Sequence, residues 1–249
     1  MKQIALFAAL APLTLGACAT LFGSASPFAY DKKGDLVEFN YSWSAEASRN
    51  PSLVRRLRGD LERSFATAAA TAEADRARAL AMKRPFRAHQ YSRRWTTAGQ
   101  SSRLLSLDGR LLASTGRAQP SHGADGLLWD RSARAEVKLD RLFNTSAALD
   151  RLVRVPGCGM LDLERARRHR ARVTPGAAFT DCPASSALTL VPSDTNRNRR
   201  FDHIRLTAPH SVAGAYAEGD HSIALPITAT MLAAIKPAFR PSFEVGQPQ

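Results

Sequence analysis

Residues 50 to 85 place the strongest limit on what this chain can become. Asn50-Pro51 sets a capping side chain before a proline, and Leu53, Leu57, Leu61, Phe65, Ala68 and Ala72 follow at three- to four-residue spacing until Pro85. Proline is accepted in the first turn of a helix and breaks its interior. The spacing gathers the apolar side chains into one stripe. A helix of about 30 residues, about 45 Å long, is predicted. One apolar stripe needs a second layer to cover it.

The neighbouring segments supply that layer. "LVEFNYSW" (36 to 43) alternates, placing Val37, Phe39, Tyr41 and Trp43 on one face of a strand. Strands are also expected at 89 to 99, 102 to 115 with a turn at Asp108-Gly109, 126 to 130 and 135 to 143. Such a meander predicts an antiparallel sheet. Asn144-Thr145 caps a further helix that Pro156-Gly157 interrupts, and "MLDLERARRHRARV" (160 to 173) resumes it. Strands at 187 to 192, 201 to 209 and 221 to 226 and a short helix at 228 to 236 complete the domain. The expected fold class is α+β: a long N-terminal helix and further helices packed on an antiparallel sheet.

The N-terminus speaks to address. "MKQIALFAALAPLTLGACAT" has one lysine, an apolar run from Ile4 to Leu15, and small residues. The run is too short to span a bilayer and has the form of a signal peptide. Leu15-Gly16-Ala17-Cys18 resembles the bacterial lipobox, which makes residues 1–17 a lipoprotein signal peptide and Cys18 the lipidated first mature residue. Ala17 and Ala19 also form an ordinary A-x-A secretion site. Ala19, in place of Asp, after the cysteine implies the outer membrane, so the expected location is exported, lipid-anchored and facing the periplasm. Residues 18–35 are read as a lipidated tether, 36–240 as the extracytoplasmic domain with a subdomain boundary left open near 85–100, and 241–249 as a tail.

Charge and cysteine use fit that compartment. A net charge of +13 favours anionic partners such as lipid head groups or peptidoglycan carboxylates. Nucleic acid is not expected outside the cytoplasm. With Cys18 acylated, Cys158 and Cys182 are expected to pair where disulfides persist, a metal pair or a catalytic thiol being the alternatives.

Candidate chemistry is sparse. In "SDTNRNRRFDHI" (193 to 204), Asp194, Asn196, Asn198 and Asp202 have the alternation of a calcium loop, yet Arg199 stands where such loops require glycine. A polar turn accounts for them better. The histidines at 89, 122, 169, 203, 210 and 221 show no zinc spacing, and GxSxG and HExxH are missing. No catalytic residue, metal or cofactor is therefore assigned. "RARRHRAR" (165 to 172) is read as a solvated helical face, with phosphate binding as the alternative.

From Leu36 onward the order of segments resembles the RsiV-like extracytoplasmic domain, a family of largely unknown function that also stands beside the catalytic domain of PdaC-like peptidoglycan deacetylases. "FNYSWSAEASRNPSLVRRL" (39 to 57), "STGRAQPSHGADGLLWD" (114 to 130), Cys158 with "FTDCP" (179 to 183), and "VAGAYAEGDHSIALP" (212 to 226) carry it. Thr115-Gly116-Arg117-Ala118-Gln119 departs from the family's Thr-Gly-Gly-Ala-His loop. The resemblance implies a helix-on-sheet domain displayed outside the cytoplasm. One branch is an anti-sigma factor whose outer domain binds lysozyme; its transmembrane and sigma-binding segments have no counterpart in this sequence.

The expected role is non-catalytic binding of a wall polymer such as peptidoglycan, or of an envelope protein. The alternatives are a sensor or inhibitor of lysozyme-like hydrolases and a peptidoglycan-modifying enzyme. Binding candidates in the resembling patches are Asp125, Trp129, Asp130, Tyr216, Glu218 and Asp220. Trp43, Trp95 and Trp129 read as core first and as a sugar platform second.

Overall fold

The computed structural model describes residues 25–116, 119–170, 172–174 and 176–248. Residues 1–24, which hold the expected leader and Cys18, and Arg117 and Ala118 of the loop 115–119 lie outside the described residues. No helix among the described residues is long and apolar enough to cross a membrane. The fold is mixed and sheet-rich, with a six-stranded and a three-stranded sheet.

The first sheet begins earlier than the tether reading allowed. β1 (Phe28–Lys32) pairs antiparallel with β2 (Val37–Trp43), and Phe28 stacks on Trp43 at 3.8 Å between ring centroids. An aromatic at 28 thus extends the fold into 18–35. After a short helix α1 (Ala45–Ser48), α2 (Pro51–Ala81) carries the chain back, so that β3 (His89–Gln100) runs parallel to β2. Parallel neighbours need such a crossover, which corrects the expected all-antiparallel sheet to a mixed one. β3 is also an interior strand, so no subdomain boundary falls at 85–100.

β4 (Leu104–Ser114) and β5 (Ser121–Asp130) continue the sheet antiparallel, and β6 (Ala135–Glu136) ends it. Asp108-Gly109 makes no turn. Gly109 lies opposite Trp95, where a Cβ would stand 2.6 Å from the indole, so the glycine serves the ring rather than a bend. The strand expected over 135–143 is two residues followed by a 3-10 turn at Leu139–Leu142.

Strand alternation sends successive side chains to opposite layers. Leu105, Leu107, Leu127 and Trp129 join Leu53 and Leu57 of α2, with Phe39, Tyr41, Trp43 and Trp95. Leu104 and Leu128 turn to the other core, shared with the second half of the chain. All three tryptophans are buried, which leaves no sugar platform among them.

In that second half, α3 (Ser146–His169) runs through Pro156 without the expected break. Proline inside a helix costs about 3 kcal/mol. Val153, Gly157 and Leu161 are buried on one face of α3, and Gly157 lets the helix approach Leu206. Burial at about 1.5–3 kcal/mol per large apolar side chain offsets the proline. The three-stranded sheet contains β7 (Thr189–Ser193), β8 (His203–Ala208) and β9 (His221–Pro226), all antiparallel, and α4 (Ala229–Ala234) follows.

The expected tail is part of the fold. Phe243 is fully buried against Phe201, and Gly246 donates its N–H to Ile227 O. In the loop between β7 and β8, Asp194 accepts the backbone N–H groups of Asn198 and Arg199, and Asp202 accepts the backbone N–H and the hydroxyl of Thr195. Arg197 and Arg199 take left-handed conformations. The segment is a polar turn whose carboxylates are spent on its own backbone.

Candidate functional site

The six binding candidates separate into two groups. Asp125, Trp129 and Asp130 lie along β5. Asp125 accepts Arg93 Nη2 at 2.7 Å, Trp129 is buried in the α2 core, and Asp130, also buried, accepts Arg103 and the N–H groups of Ser132 and Ala133. Asp125 and Trp129 share strand parity and Asp130 does not, so the pleat directs them to different faces. They form no common site.

Tyr216, Glu218 and Asp220 do come together, on the 3-10 turn Tyr216–Glu218 that leads through Gly219 into β9. The turn is held from several sides. Tyr216 donates its hydroxyl to Pro120 O, and Asp220 accepts Arg110 Nη1 at 3.2 Å and His210 N at 3.1 Å. Arg168, from the end of α3, donates to Glu218 O at 2.9 Å and Asp220 O at 2.8 Å.

Glu218 is the centre of this arrangement. Its Oε1 accepts the Ala215 N–H at 2.9 Å; its enclosed Oε2 stands 3.0 Å from His169 Nε2 and 3.6 Å from His221 Nε2, neither aligned as a hydrogen bond. The Ala215 N–H holds the carboxyl below its usual range, and the two imidazoles add to this. His221 is wholly buried with both ring nitrogens unpartnered; burial, then the Arg168 cation, lowers its pKa. Gly214 makes the approach possible, since a Cβ there would lie 2.4 Å from the His221 ring and 2.8 Å from Glu218 Oε2.

Beside Glu218 opens a groove of about 320 Å³, lined also by His169, Arg172, Phe179, Thr180 and Gly214. Two devices fix its walls. The disulfide Cys158–Cys182, with Cα atoms 5.5 Å apart, ties the segment after α3 back to the helix. Arg165, only 3% exposed, donates to the carbonyls of Ala213, Thr180 and Asp181. Arg167 and Arg168 pair with Glu164, whose carboxyl they hold down to about 2. The run 165 to 172 is therefore divided between structural and exposed roles, which corrects the reading of one solvated face.

The groove offers one carboxylate, one exposed guanidinium on Arg172, an imidazole and a partly exposed Phe179 ring. Such a set can receive an ammonium, a carboxylate and an apolar or sugar face together. Among the described residues no group of three or more His, Cys, Asp or Glu is placed to hold a metal ion. From sequence, Arg165, Arg168 and His169 were read only within the run 165 to 172 and His221 only among histidines without zinc spacing, and Gly214 was not singled out. His169 precedes Glu218 by 49 positions, so no local spacing announces the pair.

No protein-family model matches the sequence, and no curated protein matches it. Solved structures do. A member of the DUF3298 family from Bacteroides fragilis superposes with a TM-score of 0.52 at 12% identity, covering 87% of this chain and 95% of its own. A DUF3298 family protein from Pseudomonas aeruginosa gives 0.49 at 12% identity, covering 85% and 93%. What the chain shares with the Bacteroides fragilis protein is the fold of a domain of unknown function.

Proposed function

We propose that this chain is an exported lipoprotein, anchored through Cys18 in the outer membrane and facing the periplasm, whose domain binds a peptidoglycan stem without catalysis. The lipobox-like Leu15-Gly16-Ala17-Cys18 supports the address, and the disulfide suits an oxidising compartment. The single observation that carries the binding reading is Glu218 Oε2, enclosed and without a hydrogen bond beside an open groove that also holds Arg172. A buried acceptor left unmatched favours a ligand that supplies a donor. Peptide stems of the wall present free ammonium and carboxylate groups, which Glu218 and Arg172 complement.

The alternative of a lysozyme-type partner draws no support from the acidic candidates. Asp125 faces Arg93, Asp130 faces Arg103 and Asp220 faces Arg110, so with these three paired the candidates make no open acidic surface for a basic hydrolase.

Titrating the chain with soluble muropeptides by NMR tests the groove. Saturable shifts confined to residues around Glu218 and Phe179, weakened about tenfold or more by Glu218→Gln, are expected, since a charge-assisted hydrogen bond is lost. Shifts elsewhere, or equal affinity in the variant, contradict it.

A further inference from the structure

Where α2 ends and β3 begins, a second cavity of about 290 Å³ opens. Arg78 lines it from the last turn of the helix, Arg84 and Arg87 from the connection, and His89 from the first position of β3. Asp75 is the one carboxylate in its wall, and Arg78 Nη1 takes it at 2.6 Å. Arg84 and Arg87 are exposed and make no ion pair among the described residues. Three guanidiniums against one carboxylate leave a strongly cationic cavity.

His89 adds direction to that charge. It is 4% exposed, and its enclosed Nε2 has no hydrogen bond, although Asp75 Oδ2 lies 3.3 Å away. A buried ring nitrogen without a partner at the wall of a basic cavity suits an acceptor-rich anion. The negative end of the α2 dipole does not oppose this strongly, because the N–H groups of Met82, Lys83 and Arg84 already occupy the carbonyls of Arg78, Leu80 and Ala79. Of the apolar residues in its wall, Met82 is 57% exposed. An apolar side chain so open beside unpaired arginines matches a ligand that is anionic at one end and oily at the other.

We infer that this cavity binds a phosphate group carried by an amphiphile, with Arg84, Arg87 and His89 Nε2 on the phosphate and Met82 against its apolar part. The site is separate from the Glu218 groove and does not depend on what that groove binds.

The test is a 31P NMR titration of the full chain with inorganic phosphate and, separately, with a short-chain phosphatidylglycerol below its micelle concentration. Saturable binding of both is expected, tighter for the lipid, and about tenfold or more weaker in the double variant Arg84→Ala, Arg87→Ala, whose side chains are exposed and leave the fold intact. Met82→Ser should weaken the lipid alone. Equal affinity for both ligands would overturn the amphiphile and leave free phosphate as the ligand. No saturable binding, or binding indifferent to the arginine changes, would overturn the site.

Discussion

His221 Nε2 stands 3.6 Å from Glu218 Oε2 with its ring entirely withdrawn from solvent. Burial and the nearby Arg168 cation keep this imidazole neutral to lower pH than its ordinary 6.5. The unfolded chain then binds the proton first. Stability contributed by the neutral ring is present above about pH 6.5 and is lost as pH falls below it towards the folded value. Glu218 acts in the same direction lower down, its contribution being present above about 4.5 and lost beneath that. Thermal melts between pH 8 and 5 should show a fall in Tm that is shallower in His221→Gln. Equal slopes would mean that His221 does not report on folding.

Gly214 and Gly159 should respond oppositely to alanine. At Gly214 the new Cβ meets the His221 ring and Glu218, and the expected loss is about 1–3 kcal/mol. Gly159 lies within α3 with nothing inside 4 Å of its would-be Cβ, so alanine there should stabilise by about 0.5–1 kcal/mol. Urea denaturation of the two variants checks both signs.

The disulfide should matter for stability and groove alike. Cys158 and Cys182 are 24 positions apart, and removing a crosslink across a loop of that size costs about 3.5 kcal/mol in the chain-entropy picture. The double alanine variant should unfold at correspondingly lower urea. Residues 176–182 should also gain faster amide exchange, because the crosslink to α3 is lost and the Arg165 hydrogen bonds to Thr180 O and Asp181 O then have to hold them.

Phe243 should behave as core. Its ring is fully buried beside Phe201, and Phe243→Ala should cost about 3–5 kcal/mol, measured by the same denaturation. A terminal phenylalanine among prolines gives no periodic signal, so sequence reading assigned it to a tail.

Much of the architecture was legible because it rests on local pattern. Val37, Phe39, Tyr41 and Trp43 alternate in the sequence and are all buried in β2. What failed depended on distant partners. Gly109 reads as a turn until Trp95 is seen to cover it, and Pro156 reads as a break until Gly157 is seen against Leu206. The site divides the same way. Tyr216, Glu218 and Asp220 were found as neighbours in sequence, whereas Arg168 and His169 reach them only because α3 ends beside β9.

The most direct measurement of the central claim is co-sedimentation of the chain with purified peptidoglycan sacculi at low and high salt, beside Glu218→Gln and Arg172→Ala. A basic protein adheres to an anionic mesh by diffuse attraction, which salt removes. Retention that survives high salt and falls in both variants is the predicted result. Retention that disappears with salt, or persists unchanged in the variants, would contradict a wall-binding groove at Glu218.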